Sequence, residues 1–294
     1  MNNQREIPYF QDHAYLRHDQ YETPDNLNAR AQLHSRYGTN KTGWYDWLFS
    51  FLAIDGRTRI LDCGCGPGGL WRETLTSIPD DCQVILTDLS EGMVSEARNV
   101  LAKHRPFRGF QVADIAKLPF ADQTFDIVIA NHMLYHVHHR QKALKEVSRV
   151  LRAGGQLVAA TNGADHLQEL RDLEQAISRD QYVESMQISA DFSLENGAAQ
   201  LQAAFSDVES HRYPNSLQVT NADDILAYLF SSSEIRAASV PEKVEELRRM
   251  LAQTIATDDA FAITSHSGVF LARTVGPGTL LVQAIDAEEK VVDG

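Results

Sequence analysis

The chain has 294 residues, of which 43% are hydrophobic, enough to bury a full core in one large domain or in one domain with a cap. Forty acidic residues against 27 basic ones give a formal net charge of -13, which disfavours a nucleic-acid partner because the chain would repel phosphates. Three cysteines without zinc-site spacing, and the lack of any apolar run of about eighteen residues, predict a soluble, cytoplasmic protein with no structural metal and no membrane contact.

The first fifty residues are rich in aromatic and histidine side chains. They end in a predicted helix over residues 42–52, and the segment as a whole is suited to cover a site. Much of this aromatic surface is also expected to pack the helix onto the core.

From residue 59 to residue 162, short apolar runs alternate with longer stretches that have helical periodicity. The predicted strands are 59–63, 83–88, 109–113, 125–130 and 156–161. The predicted helices are 69–77, 91–103 and 140–151. Ser90 is expected to cap the second of these helices, and Gly154 with Gly155 to end the third. Such alternation predicts an α/β fold, with a mostly parallel, Rossmann-like sheet and helices on both faces.

After this core the pattern becomes more polar. A charged helical insertion is expected at about 163–200 and a second at 222–257, while 208–213 and 269–274 read as closing strands. The predicted domain scheme is a cap segment over 1–50, one domain over 51–275, and a tail over 276–294.

The stretch Ile-Leu-Asp-Cys-Gly-Cys-Gly-Pro-Gly-Gly at 60–69 fits two glycine-rich patterns, one for a dinucleotide and one for a methyl donor. A pyrophosphate needs free backbone N–H groups, whereas Asp62 adds a negative charge and Pro67 removes a donor. A ligand with an ammonium and a sulfonium group complements Asp62 instead. The loop therefore favours S-adenosylmethionine over a nicotinamide dinucleotide.

Two further carboxylates lie at the ends of predicted strands. Asp88 is placed to accept hydrogen bonds from ribose hydroxyls, and Asp114 is placed to accept one from the adenine amino group. The apolar side chains expected to sandwich the adenine ring are Leu89, Met93 and Ile115.

In these residues the sequence resembles the class I S-adenosylmethionine-dependent methyltransferases of the broad small-molecule group. The segments that carry the resemblance are 61–68, 87–93, 112–115, 118–120, 125–128, 131–137 and 150–155. The resemblance implies a seven-stranded sheet whose last strand is antiparallel. It also implies cofactor binding by Asp62, Cys63, Gly64, Cys65, Gly66, Gly68, Asp88, Leu89, Met93, Asp114, Ile115 and Asn131.

Four histidines lie close together after the fourth predicted strand, at positions 132, 136, 138 and 139. His132 and His136 would share a face if this segment were helical, but no further ligand completes a metal site, so we predict no metal. His132 follows the strand directly and is the candidate general base. Relatives often have proline and aspartate where this chain has His138 and His139.

The function predicted from the sequence is metal-independent methyl transfer from S-adenosylmethionine to oxygen, nitrogen or carbon of a small-molecule metabolite, with a homodimer possible. Direct displacement depends mainly on positioning and exclusion of water, so the sequence indicates the donor and leaves the acceptor open. The alternatives are a non-catalytic S-adenosylmethionine-binding sensor or interaction protein, a nucleic-acid methyltransferase and a nicotinamide oxidoreductase.

Overall fold

The computed structural model describes residues 32–178 and 190–274. Its strands, numbered in chain order, are β1 (Arg59–Cys63), β2 (Gln83–Asp88), β3 (Phe107–Val112), β4 (Phe125–Asn131), β5 (Leu151–Asn162), β6 (Asp207–Val219) and β7 (Phe261–Arg273). Its α-helices are α1 (Trp44–Phe49), α2 (Gly69–Glu73), α3 (Glu91–Leu101), α4 (Arg140–Val150), α5 (Gln168–Ile177), α6 (Gly197–Leu201), α7 (Ala222–Leu229), α8 (Ser233–Ala238) and α9 (Pro241–Asp258). Residues 32–37 are helical as well.

The seven strands form one sheet in the order β3-β2-β1-β4-β5-β7-β6. Strands β1 to β5 pair in parallel, and β7 runs antiparallel to both of its neighbours, β5 and β6. The predicted fold class is therefore confirmed, including the seven strands and the antiparallel last strand.

Helices cover both faces of the sheet because successive strand residues point to opposite sides. Ile60 of β1 faces a buried cluster that includes side chains of α1, α2 and α3. Leu61, the next residue, faces a second cluster that includes side chains of α4 and α6. Asp62 lies on the same side of the sheet as Ile60, beneath α2, and its side chain is therefore buried.

Most predicted elements are present, with shorter helices than the periodicity indicated. The predicted helix over 42–52 is reduced to α1, and the one over 69–77 divides into α2 and a 3-10 turn at Leu75–Ser77. The hydroxyl of Ser90 caps α3 by accepting a hydrogen bond from the backbone N–H of Met93, as expected.

The expectation that Gly154 and Gly155 end a helix was wrong. Helix α4 ends at Val150, and β5 begins at once and runs through both glycines. The pairing of β5 with β4 is irregular in this region, and Gly154 has a φ of +76°. The glycines thus permit a distortion within a strand rather than ending a helix.

Strands β6 and β7 are much longer than the predicted closing strands. They pair over thirteen residues each, and six of these pairs, from Pro214 with His266 to Val219 with Phe261, extend beyond the end of β5 at Asn162. At about 3.4 Å per residue, this two-stranded ribbon overhangs the carboxyl edge of the parallel sheet by roughly 20 Å.

A third buried cluster is built on the overhanging ribbon. It joins side chains of β6 and β7 to those of α5, α7 and α9, and it includes Leu33 from the helical residues 32–37. The single helical stretch predicted over 222–257 is three helices, α7, α8 and α9. Together these parts form a cap beside the carboxyl ends of β4 and β5.

Several sequence predictions fall wholly or partly outside the described residues. These are the tail over 276–294, most of the aromatic segment over 1–50 and part of the insertion at about 163–200. The proposed domain boundaries remain a prediction. In the described ranges no helix combines the length and the apolar character that crossing a bilayer requires.

Two glycines with similar backbone conformations allow a packing prediction. Gly68 has a φ of +79° and Gly154 a φ of +76°. A Cβ added to Gly68 would lie 2.8 Å from a methyl carbon of buried Leu101, whereas a Cβ added to Gly154 would meet no atom within 4 Å. We expect Gly154→Ala to lower the free energy of unfolding by about 1 kcal/mol through backbone strain alone. Gly68→Ala should cost about 2–4 kcal/mol, because overpacking adds to the same strain. Urea unfolding of both variants measures the difference, and equal losses would contradict this account of Gly68.

Candidate functional site

The backbone N–H groups of the glycine loop between β1 and α2 donate their hydrogen bonds to acceptors of the protein itself. The N–H groups of Gly64 and Cys65 both donate to the carbonyl oxygen of Thr87, at 2.7 and 3.0 Å, and Gly68 donates to Cys65 at 3.1 Å. Gly66 donates to the carboxylate of Asp88 at 3.0 Å, and Pro67 has no N–H. No backbone donor from residue 64 to residue 68 therefore remains for a phosphate group.

A cavity of about 260 Å³ opens above this loop at the carboxyl ends of β1, β2 and β4. Ligands of open α/β sheets bind at this edge. Its lining includes ten of the twelve predicted cofactor residues: Cys63, Gly64, Cys65, Gly66, Asp88, Leu89, Met93, Asp114, Ile115 and Asn131.

The other two predicted residues, Asp62 and Gly68, do not line the cavity. Gly68 has a φ of +79° and faces Leu101 and Ala97 of α3. Gly68 thus starts α2 and allows close helix packing, and its contact with a cofactor stays a prediction. Gly64 has a φ of +70°, and a Cβ there would lie 2.8 Å from the Met133 side chain.

Asp62 lies under the loop, with only 2% of its surface exposed. Its Oδ2 accepts a hydrogen bond of 2.7 Å from the indole N–H of Trp71 on α2. Its Oδ1 is buried and has no hydrogen-bond partner among the described residues. Burial raises the pKa of Asp62 to about 7, while the bond from Trp71 opposes the rise and the charge of Asp88 adds to it. This carboxyl group can therefore accept a further donor, preferably a cationic one.

Asp88 connects the end of β2 to the glycine loop. One of its oxygens accepts from Gly66 and the other from the backbone N–H of Ser90 at 2.9 Å. Burial raises its pKa, and the backbone donors oppose the rise. A carboxylate can accept about four hydrogen bonds, so Asp88 keeps the capacity to bind hydroxyl groups in the cavity.

Asp114 lies across the cavity, after β3. Its Oδ1 accepts from the backbone N–H of Ala116 at 2.8 Å, and its Oδ2 has no bond to any described residue. The neighbouring Ile115 is 5% exposed and Met93 2% exposed, so apolar side chains flank the free carboxylate oxygen. This combination suits a flat ring that carries an amino group.

The two cysteines of the loop are protonated thiols. Burial raises the pKa of Cys63 to about 12 and that of Cys65 well above its usual value. A raised pKa disfavours the thiolate form, so we expect neither sulfur to act as a nucleophile near neutral pH.

The amino-terminal segment contributes two cavity residues that the sequence did not single out, Trp44 and Tyr45 of α1. The indole N–H of Trp44 donates to the side-chain oxygen of Asn131 at 3.3 Å. A Cβ on Gly69 would lie 2.6 Å from the Tyr45 hydroxyl. The sequence signal for these contacts was the closely spaced aromatic residues Trp44, Tyr45 and Trp47. It indicated that the segment covers a site, but it did not show which of the three side chains reach the cavity.

His132 lines the cavity immediately after β4. It has a φ of +54°, a conformation that non-glycine residues adopt rarely and that often marks functional positions. Its ring lies 4.9 Å from that of Trp44. Burial lowers the pKa of His132 to about 4, with a further contribution from His34, so the ring is neutral near pH 7.

The idea that His132 and His136 share a helix face was wrong. His132 has left-handed backbone geometry, and His136 lies in a short 3-10 turn at Leu134–His136. Within the described ranges, the one group of three residues able to hold a metal is Asp165, Glu195 and His266. Both carboxylates of this group already bond to protein, Asp165 to the ring of His266 and Glu195 to the backbone N–H of Ala164.

Comparisons with known proteins match this part of the chain. A family model described as a methyltransferase domain matches residues 61–159. A malonyl-[acyl-carrier protein] O-methyltransferase of Enterobacter lignolyticus is 38% identical over 135 residues, which are 45% of this chain and 50% of that protein. A ubiquinone/menaquinone biosynthesis C-methyltransferase of Laribacter hongkongensis is 32% identical over 115 residues, covering 39% of this chain and 47% of that one.

The chain therefore spans about half the length of the curated relatives it matches. Among solved structures, phosphoethanolamine N-methyltransferase 2 of Haemonchus contortus, in complex with S-adenosyl-L-methionine, gives a TM-score of 0.53 at 19% identity. The match covers 92% of this chain and 61% of that one. At this identity, the likeness concerns the fold.

The raised pKa of Asp62 predicts how stability depends on pH. A carboxyl whose pKa rises from about 3.8 to about 7 on folding binds its proton more tightly in the folded state, so it favours folding at acid pH and loses this effect as pH rises through 7. We expect the ligand-free protein to lose on the order of 2 kcal/mol between about pH 5 and pH 8 from this group.

The variant Asp62→Asn should lack this part of the pH dependence, since it keeps an acceptor for Trp71 but has no proton to lose. Urea unfolding across the pH range measures it. Parallel pH profiles for the two proteins would contradict the assignment of the raised pKa to Asp62.

Proposed function

We propose that this chain, which belongs to the class I S-adenosylmethionine-dependent methyltransferases, transfers the methyl group of S-adenosylmethionine to an oxygen, nitrogen or carbon atom of a small-molecule acceptor. The observation that carries the proposal is the chemistry of the glycine loop. Its N–H groups are all used within the protein or missing, and the carboxyl group beneath it has an oxygen without a partner. Such a loop is suited to a cationic ligand and poorly suited to a pyrophosphate.

The described residues fit the three parts of this cofactor. Asp62 would attract the methionine ammonium, and its unpartnered Oδ1 is the available acceptor. Asp88 would bind the ribose hydroxyls through its remaining lone pairs. Asp114 would accept from the adenine amino group, with Met93 and Ile115 packed against the ring. Asn131 would lie beside the methionine moiety.

When bound, S-adenosylmethionine supplies an electrophilic methyl group whose bond to sulfur breaks as the acceptor's lone pair forms the new bond. The protein's part is to hold the acceptor in line and to exclude water. Trp44, Met133 and Tyr135 form apolar walls of the cavity, and the bond from Trp44 to Asn131 fixes α1 over its edge.

His132 is proposed as the base for acceptors that must lose a proton. Its ring is neutral and can take up a proton, but burial lowers its pKa to about 4, so it holds that proton weakly. It would therefore serve acceptors that are already acidic, since efficient general bases have a pKa near the working pH. We propose no metal in this reaction.

The named relatives bear on the acceptor only in a general way. One is called an O-methyltransferase of a malonyl group on acyl-carrier protein and another a C-methyltransferase of quinone biosynthesis. Neither name refers to a nucleic acid, and the net charge of -13 disfavours a nucleic-acid acceptor. We therefore propose a small acidic or phenolic metabolite as the first class to examine.

Calorimetry and product analysis test the proposed function. We expect S-adenosylmethionine to bind and NADH not to bind. Binding near neutral pH should release up to one proton, because the ammonium favours the ionised form of Asp62, and Asp62→Asn should remove this release. S-adenosylhomocysteine should accumulate with at least one member of a panel of acids, phenols and amines. Binding without turnover across the panel would point to a non-catalytic cofactor-binding protein.

A second variant examines the ribose contact. We expect Asp88→Ala to weaken S-adenosylhomocysteine binding by about 1.5–3 kcal/mol, the range for loss of hydrogen bonds to a charged group. Asp80→Ala is the matched control, because it removes the same charge from an exposed site outside the cavity. Unchanged affinity in Asp88→Ala, or an equal loss in both variants, would remove the ribose assignment.

A further inference from the structure

Three histidines from distant parts of the chain lie together next to the cofactor cavity: His34 of the helical residues 32–37, His132 after β4, and His166 after β5. We call them the histidine cluster. The rings of His34 and His166 are stacked, with centroids 5.8 Å apart and planes within 2°. His132 lines the cavity itself at the end of β4, whereas His34 and His166 lie outside the cavity lining, close enough to His132 for the rings to affect one another's pKa.

The proton position on His166 follows from its backbone contact. The backbone N–H of His266 on β7 donates to Nδ1 of His166 at 3.1 Å. An imidazole nitrogen that accepts a hydrogen bond carries no proton, so the neutral His166 ring has its proton on Nε2. His166 is thus fixed as a hydrogen-bond donor through Nε2.

The rings of His34 and His132 have no hydrogen bond to any described residue, although both keep some solvent exposure. Each can therefore present a ring N–H to a ligand without breaking a bond within the described chain. A cluster that offers donors on unpaired rings is suited to a ligand rich in acceptors.

The charged surroundings of the cluster are one-sided. Burial lowers the pKa of His34 and of His132 to about 4 and that of His166 well below its usual value. Besides the neighbouring histidines, which are themselves neutral near pH 7, the described group that acts on the pKa of these rings is the cation Arg171 of α5.

The carboxylates near the cluster already have partners. Asp165, in the loop after β5, bonds to the ring of His266. Glu169 of α5 accepts from the backbone N–H and the hydroxyl of Thr264, at 2.8 and 2.7 Å. No described carboxylate therefore bonds to the three rings, so their N–H donors remain available to a negatively charged ligand.

We propose that the histidine cluster binds an oxyanion of the methyl acceptor, a carboxylate or a phosphate, so that the acceptor is an acid. The inference deepens the proposed function and rests on it. The ring N–H groups of His132 and His166 would donate to the oxyanion, and Arg171 would favour its charge from behind His166. The Arg171 side chain donates to the carbonyl oxygens of His166 and Ala164, which holds the cation in place.

Nuclear magnetic resonance of the ring nitrogens tests the inference without knowledge of the acceptor. The full-length protein, labelled with ¹⁵N-histidine and saturated with S-adenosylhomocysteine, is titrated with acetate, inorganic phosphate or acetamide at constant near-neutral pH and ionic strength. We expect acetate or phosphate to shift the resonances of His132 and His166 saturably toward the protonated form. The neutral acetamide should leave them unchanged, and exposed His139 should respond to none of the three.

Variants of His166 separate a binding role from a structural one. His166→Phe should abolish the acetate and phosphate response, His166→Gln should keep part of it because its amide can donate, and His139→Phe should respond like the original protein. Whichever anion gives the response identifies the class of oxyanion. Absence of a response to both anions, or an equal response to acetamide, overturns the inference.

Labelled methyl transfer gives the second readout. A metabolite extract is divided by anion exchange into retained and unretained fractions, and each is incubated with labelled S-adenosylmethionine. We expect at least tenfold more labelled product from the retained fraction; labelling mainly from the unretained fraction overturns the inference. Failure of the proposed function is recognised separately, because the protein would then not bind S-adenosylhomocysteine in calorimetry or would label neither fraction.

Discussion

The site is organised around one buried carboxyl group. Asp62 follows Ile60 on the same side of β1, so the alternation of the strand turns it under α2 rather than into the cavity. The indole of Trp71 satisfies one of its oxygens and leaves the other without a partner. A buried charge of this kind is costly unless a cation or a donor arrives, so the loop above it is prepared for a positively charged ligand before one binds.

The sequence predicted the parallel half of the fold well, because buried strands and amphipathic helices leave periodic patterns. Strand β1 and the N-cap of α3 at Ser90 follow directly from such patterns. The sequence did not predict that β5 continues through Gly154, because a pair of glycines is found both at the ends of helices and at irregular positions within strands. The length of β6 and β7 was also missed, because half of each strand supports the cap rather than the main core and mixes polar with apolar residues.

Most residues that line the cavity were predictable because they follow one another at the ends of consecutive strands. Asp88 and Asp114 lie in the cavity as expected. Asp62 could have been placed beneath the loop from the alternation of β1 alone. In contrast, the meeting of His34 with His166 depends on how residues 32–37 lie on the ribbon, a long-range contact that no local spacing encodes. The surroundings of the histidine cluster are for this reason the part of the structure that sequence patterns describe least.

Because the N–H groups of the glycine loop are bonded within the protein, they also affect which adenosine-containing ligands can compete for the cavity. Adenosine triphosphate has the same adenosine portion that Asp88 and Asp114 are suited to bind, but its phosphates would find no backbone donors from Gly64 to Gly68 and would lie above the buried carboxyl group of Asp62. The loop therefore discriminates against the abundant energy-carrying nucleotides by withholding contacts, without any side chain devoted to excluding them.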